Sequence, residues 1–233
     1  MRLLDRQHDV DLDHVDQSRH RDVVASLARS ARLAGSKAVT SGRWLAETVV
    51  DLAPRVPVRD AETLSRHHGG LTGATLASSM IRSSGRVSAT IGAAAGGLVA
   101  VQELSVAGMV AVPFELAAET VLVVLVEMKL VAELHQVAGR PVQGSSKQRT
   151  AAVLRSWLSG RGITAMTVAA PGRADLLGRA TRTRLTEALR RRFTRNLATL
   201  APLMAGAALA GWLNRRATLA VGRSLASDLG LRR

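Results

Sequence analysis

The sequence predicts an all-α protein, a Gly/Ala-rich helical bundle with one central apolar helix and a small-residue helical hairpin. Hydrophobic residues make up 47% of the 233 residues, but aromatic residues make up only 2% and Tyr is absent. The core must therefore consist mainly of Ala, Leu, Val and Gly. Ala and Leu are strong helix formers. No convincing alternation of Val, Ile and Thr indicates a strand.

The central helix is expected over about residues 113–138. Pro113 suits the first helical turn, and Glu115 is favourable near the positive end of the helix dipole. Gly139 and the following Pro141 are stop signals. The helix is otherwise nearly all apolar, and most of its charged residues fall within one narrow arc on a helical wheel: Glu115, Glu119, Lys129 and Glu133.

Two uncharged segments, residues 87–102 and 197–213, carry small residues four positions apart. That spacing lets helix backbones approach closely, and the candidate packing residues are Gly92, Gly96, Gly97, Gly206 and Gly211. Residues 87–102 are too short to cross a bilayer, which takes about 20 apolar residues. A helical hairpin turning near Gln102–Glu103 fits better than one span. The small residues then serve either a tight soluble core or contact with lipid.

The chain divides into three predicted parts. Residues 1–22 form an exposed or disordered arm, residues 23–60 a helix followed by a Pro-containing linker, and residues 61–230 the main helical domain. The charged N-terminus lacks the apolar stretch of a secretory signal, and the chain has no Cys. We therefore expect a cytoplasmic protein.

Positive charge is concentrated near the C-terminus. The net charge is +14, and residues 141–233 hold 17 Lys and Arg against 3 Asp and Glu. Such a block favours anionic partners, either phospholipid headgroups or nucleic acid. A basic amphipathic helix over Pro171–Asn196 precedes an apolar segment, which favours a membrane surface. The candidate membrane- or anion-binding residues are Arg182, Arg184, Arg190, Arg191, Arg192, Arg195, Arg215 and Arg216. Nucleic acid is less favoured, because Phe193 is the only aromatic residue near this block to stack on bases.

No motif points to an enzyme, a cofactor or a metal. The spacing of Asp9, Asp11 and Asp13 resembles the start of a calcium loop, but the Gly and Glu required later are absent. Glu115 and Glu119, one helical turn apart, could act as an acid–base pair; in the simpler interpretation Glu115 interacts with the helix dipole and Glu119 is satisfied by an Arg or the backbone. We expect the latter, with no catalytic, cofactor-binding or metal-binding residue.

The order of these segments resembles the EcsC family of bacterial proteins over roughly residues 62–230. Pro113 and Glu115 match the Pro-x-Glu start of that family's central helix, and Gly139 matches the Gly that closes it. A late Pro…Gly…Gly…Asn pattern is met by Pro202, Gly206, Gly211 and Asn214. The resemblance implies an all-helical protein, cytoplasmic or on the cytoplasmic face of the membrane.

The sequence thus predicts a membrane-associated helical protein, peripheral to or partly inserted in the cytoplasmic membrane. It would bind anionic membrane or lipid through its basic C-terminal half and its Gly/Ala-rich helices, with a membrane protein as a further possible partner. The alternative is a soluble cytosolic adaptor that binds a protein partner or nucleic acid.

Overall fold

The computed structural model describes residues 22–102, 106–163, 178–198 and 206–231. All regular structure in these ranges is helical, which confirms the all-α prediction. The predicted N-terminal arm and the start of the predicted basic helix lie outside the described residues. The helices are α1 (22–34), α2 (Ser36–Thr40), α3 (Arg43–Leu52), α4 (Ala61–His67), α5 (Gly73–Gln102), α6 (Val106–Val137), α7 (Ser146–Gly160), α8 (Arg179–Ala198) and α9 (Gly206–Asp228), with a 3-10 turn at Ala53–Arg55 after α3.

Helix α6 is the centre of the bundle. It contacts α2, α3, α4, α5, α7, α8 and α9, and its apolar residues from Leu116 to Leu134 contribute much of the core. A central apolar helix was expected, but its predicted start at Pro113 is wrong. The helix begins at Val106, so Pro113 lies inside it. The apolar residues before Pro113 continue the helix for about two turns, and a proline of this kind removes one backbone hydrogen bond.

Helices α5 and α9 pack against each other in antiparallel fashion. Gly92 of α5 and Gly211 of α9 lie where the two helices meet, and we call this contact the glycine seam. A methyl group added at Gly92 would lie 2.9 Å from the Ala210 carbonyl oxygen, and one added at Gly211 would lie 2.8 Å from the Ala89 carbonyl oxygen. The two backbones are therefore too close for any side chain at these positions. Gly96, Gly97 and Gly206 belong to the same helices, outside the part whose side-chain surroundings are described.

Helices α5 and α6 follow each other and pack together, as a hairpin requires. α5 ends at Gln102 and α6 begins at Val106, while the predicted turn at residue 103 lies outside the described residues. The glycine seam, however, joins α5 to α9, which is far from α5 in the sequence, and not to the next helix, α6. Within the described ranges, no helix is both long enough and apolar enough to cross a membrane.

The segment before residue 61 shares the core of the main domain. Trp44, Leu45 and Val49 belong to the same buried cluster as residues of α6 and α8. In the predicted linker, Arg59 forms a two-pronged ion pair with Glu133 of α6, with N–O distances of 2.8 and 3.0 Å. The predicted boundary at residue 61 therefore does not separate two cores.

The glycine seam predicts that Gly211→Ala destabilises the protein by about 1–3 kcal/mol, because the added methyl group forces α5 and α9 apart. Gly160→Ala is the matched control. Among the described residues, the nearest neighbour of its methyl group would be Val221, at 3.6 Å, so helix propensity should leave stability unchanged or raise it by up to about 1 kcal/mol. Urea unfolding measures both. Equal stability of the two variants would contradict the close approach of α5 and α9.

Candidate functional site: a buried ionic network and an arginine-rich face

Glu127 of α6 is completely buried and lies at the centre of a polar network. Its Oε2 accepts a hydrogen bond from Trp157 Nε1 at 2.9 Å, and its Oε1 accepts one from Thr218 Oγ1 at 3.1 Å. Trp157 is on α7 and Thr218 on α9. One carboxylate therefore joins three helices.

Two arginines neutralise this carboxylate. Arg192 of α8 donates from its Nη1 to Glu127 Oε1 at 3.0 Å, and Arg161, just after α7, donates to Oε2. The Arg161 guanidinium also lies over the Trp157 ring, 4.5 Å from its centroid. Burial alone would raise the pKa of Glu127, but the two guanidinium groups outweigh it and hold that pKa at about 2. Glu127 is therefore ionised at neutral pH.

A second buried carboxyl group, Glu119, closes the network. Arg192 Nη2 donates to Asn214 Oδ1 at 3.0 Å, and Asn214 Nδ2 donates to Glu119 Oε1. Oε2 of Glu119 has no hydrogen-bond partner among the described residues. Burial raises the pKa of Glu119 to about 7, against the opposing effects of Asn214 and Arg192. Its protonated form is thus favoured more strongly in the fold than in water.

The arrangement serves structure better than catalysis. Glu119 is only 1% exposed and Glu127 is 0% exposed, so a substrate in solution has no access to either carboxyl group. Glu115 Oε1 lies 3.9 Å from Arg32 Nη2 of α1. The predicted contact with the dipole at a helix start is wrong, because α6 begins at Val106 and Glu115 lies inside it. Among the residues the structure describes, no group of three His, Asp or Glu side chains could hold a metal ion.

The predicted anion-binding arginines divide into two groups. The first group is accessible to solvent, with Arg184 half-buried. Its exposed members are Arg182, Arg190, Arg191, Arg195, Arg215 and Arg216. For Arg192 the structure corrects the prediction, because this side chain is only 7% exposed and its guanidinium is paired with the Glu127 carboxylate. Phe193 is 1% exposed, so it offers no surface for base stacking.

Outward from the glycine seam, α5 and α9 carry exposed basic residues and one exposed Trp. Trp212 is 50% exposed, and the Arg216 guanidinium lies 5.2 Å from its ring centroid. α5 contains no Asp or Glu, and α9 contains only Asp228 at its end. We call this surface the α5–α9 face and define it by its exposed basic and aromatic residues: Arg82, Arg86, Trp212, Arg215, Arg216 and Arg223.

Sequence reasoning missed the central residues of the network. Glu127, Trp157 and Arg161 were not singled out, although Glu127 falls outside the arc that holds the other charged residues of the central helix. An acid on the apolar side of a helix is the signal that could have identified it, because buried charges need partners. Asn214, expected only as part of a family pattern, is 3% exposed and links Arg192 to Glu119.

The raised pKa of Glu119 predicts a pH-dependent stability. The folded state binds the proton more tightly than the unfolded state, so this contribution is present below about pH 4.5 and is lost as the pH rises through about 7. Between pH 5 and 8, wild-type protein should lose about 2–3 kcal/mol more stability than Glu119→Gln, which mimics the protonated form. Urea unfolding at both pH values measures this difference.

Glu187→Gln serves as the control, because the Glu187 carboxylate lies on the surface of α8 and pairs with Arg191. It should keep the wild-type dependence on pH. If Glu119→Gln also keeps that dependence, the buried carboxyl group does not titrate as described.

Comparison with known proteins does not extend this description. No protein-family model, curated protein or solved structure matches the chain. What the chain does must therefore be argued from its own residues.

Proposed function

We propose that this is a membrane-peripheral helical protein that binds anionic lipid headgroups through its α5–α9 face. The observation that carries the proposal is Trp212, half-exposed and covered by Arg216, on a surface that is rich in Arg and nearly free of acid. Such a combination matches the chemistry of a membrane–water interface.

Both residue types contribute to that match. Each Lys or Arg near an anionic bilayer contributes about 1 kcal/mol of attraction. A Trp side chain favours the headgroup level, because its ring is apolar while its N–H can still donate to water or lipid. Trp212, Arg215, Arg216 and Arg223 are all exposed on α9. At 100° per residue they fall within an arc of about 100°, so one approach to a bilayer brings all four residues to the headgroups.

The fold supports a surface mode of attachment. The glycine seam fixes α9 against α5, and Asn214 and Thr218 tie the inner side of α9 to the buried network. A rigid two-helix surface keeps its arginines in place when it meets lipid, so little conformational freedom is lost on binding. The EcsC-like order of segments expected from the sequence implies a protein in the cytoplasm or on the cytoplasmic face of the membrane, and the second of these locations agrees with the proposal.

Vesicle flotation at low and high salt tests the proposal. Wild-type protein should float with anionic vesicles and much less with neutral ones. The triple variant Arg215→Gln, Arg216→Gln, Arg223→Gln should bind anionic vesicles on the order of 100-fold more weakly at low salt. Trp212→Ala should lower the binding that persists at high salt, where charge attraction is screened.

A charge-matched triple variant controls for net charge. Arg55, Arg66 and Arg140 are exposed on other elements, and replacing all three with Gln should leave flotation nearly unchanged. A third triple variant, at Arg190, Arg191 and Arg195, tests the α8 surface that the sequence had predicted. Absence of flotation at any salt concentration would refute membrane binding and favour the soluble adaptor. Equal losses in all three triple variants would refute a specific α5–α9 face, because net charge alone would then account for the binding.

A further inference from the structure

A cavity of about 390 Å³ lies on a different part of the molecule, between α6, α7 and the chain that follows α3. Its volume falls within the range of small-molecule sites, about 300–1,000 Å³. One wall is formed by the 3-10 turn and Val56 and Val58, and the opposite wall by α6 and α7. We call this cavity the α6–α7 pocket.

One part of the pocket wall is apolar and another part is positively charged. Met128 of α6 and Val153 of α7 are buried and supply an apolar floor, which Val142 extends. Lys129 and Arg149 supply cationic groups, and none of the described residues that line the pocket is Asp or Glu. A ligand that fits both walls has an apolar part and an anionic part.

The charge of Lys129 is only partly compensated inside the protein. Its Nζ lies 2.8 Å from Glu133 Oε1 and donates to the Pro57 carbonyl oxygen. Glu133, however, also accepts two hydrogen bonds from the Arg59 guanidinium, at 2.8 and 3.0 Å. Two cations therefore share one carboxylate, and an excess positive charge remains beside the pocket.

Arg149 adds a second positive charge, held in a defined position. Its Nη1 donates to the Gly144 carbonyl oxygen at 2.8 Å, a neutral partner that orients the guanidinium without cancelling its charge. Arg149 lies in the first turn of α7, which contains no acid. The positive end of the helix dipole therefore adds to the attraction for an anion.

We propose that the α6–α7 pocket binds a single-chain amphiphilic anion, an alkyl carboxylate or alkyl phosphate. The headgroup pairs with Arg149 and Lys129, and the chain lies on Met128, Val142 and Val153. This site does not depend on the α5–α9 face, because the two share no residue. The ligand chemistry follows from the charges and walls of the pocket alone.

Isothermal titration with decyl phosphate, below its critical micelle concentration, tests the proposal on the full chain. Binding should saturate at one molecule per protein. Decanol and inorganic phosphate, which each lack one half of the amphiphile, should bind at least about tenfold more weakly. No saturable binding of decyl phosphate, or equal binding of decanol, would overturn the proposal.

Substitutions locate the site. Arg149→Gln should weaken decyl phosphate binding by roughly tenfold or more, while Arg149→Lys, which keeps the charge, should retain most of it. Lys147→Gln is the matched control, since Lys147 is an exposed cation on the same helical turn and does not line the pocket. Equal losses from Arg149→Gln and Lys147→Gln would show general charge attraction and refute the site.

The Arg215, Arg216 and Arg223 triple variant should bind decyl phosphate like the wild type. This separates the pocket from the membrane proposal, because either can fail while the other stands. A large loss of decyl phosphate binding in that variant would place the amphiphile on the α5–α9 face and overturn the pocket assignment.

Discussion

The packing of the C-terminal half depends on one buried carboxylate. Glu127 lies in the central helix, away from water, and an ionised group there is stable only with its charge neutralised and its oxygens hydrogen-bonded. Those partners come from α8, α9 and the end of α7: Arg192, Thr218, Trp157 and Arg161. Removing one partner of a buried pair costs about 3–5 kcal/mol. Because the Glu127 carboxylate needs all of these partners, it favours the arrangement in which α7, α8 and α9 pack against α6 together.

The glycine seam and this network act on the same helix from two sides. Gly92 leaves room for both the α9 backbone at Ala210 and the Asn214 side chain. Asn214 then connects Arg192 to Glu119. With its inner side fixed in this way, α9 turns Trp212 and Arg216 outward. The interior thus determines which side chains the proposed membrane surface presents.

Composition and spacing were enough to predict the helical class and a central apolar helix, because both depend on local propensity or on helix periodicity. They were not enough to identify the partners of a buried charge, which come together only in three dimensions. The basic run at residues 190–195 is a different case, in which counting charge assigned all its arginines to the surface although the sequence carried a signal against this. Helical periodicity places Arg192 on the same side as the buried Leu185 and Leu189, and there it meets Glu127. Likewise, proline preference alone favours a helix start at Pro113, whereas the apolar residues before it continue α6.

Double-mutant cycles test most directly whether the Glu127 network holds the helices together. One cycle combines Glu127→Gln with Arg192→Gln, and the other combines Glu187→Gln with Arg191→Gln, an exposed pair on α8. Urea unfolding, with a stabilising osmolyte in all samples if needed, gives the coupling free energy of each pair. The network predicts a coupling of about 1–3 kcal/mol for the buried pair and at most about 0.5 kcal/mol for the exposed pair. Equal, small couplings would contradict it, because Arg192 would then add no more to stability than an arginine on the surface.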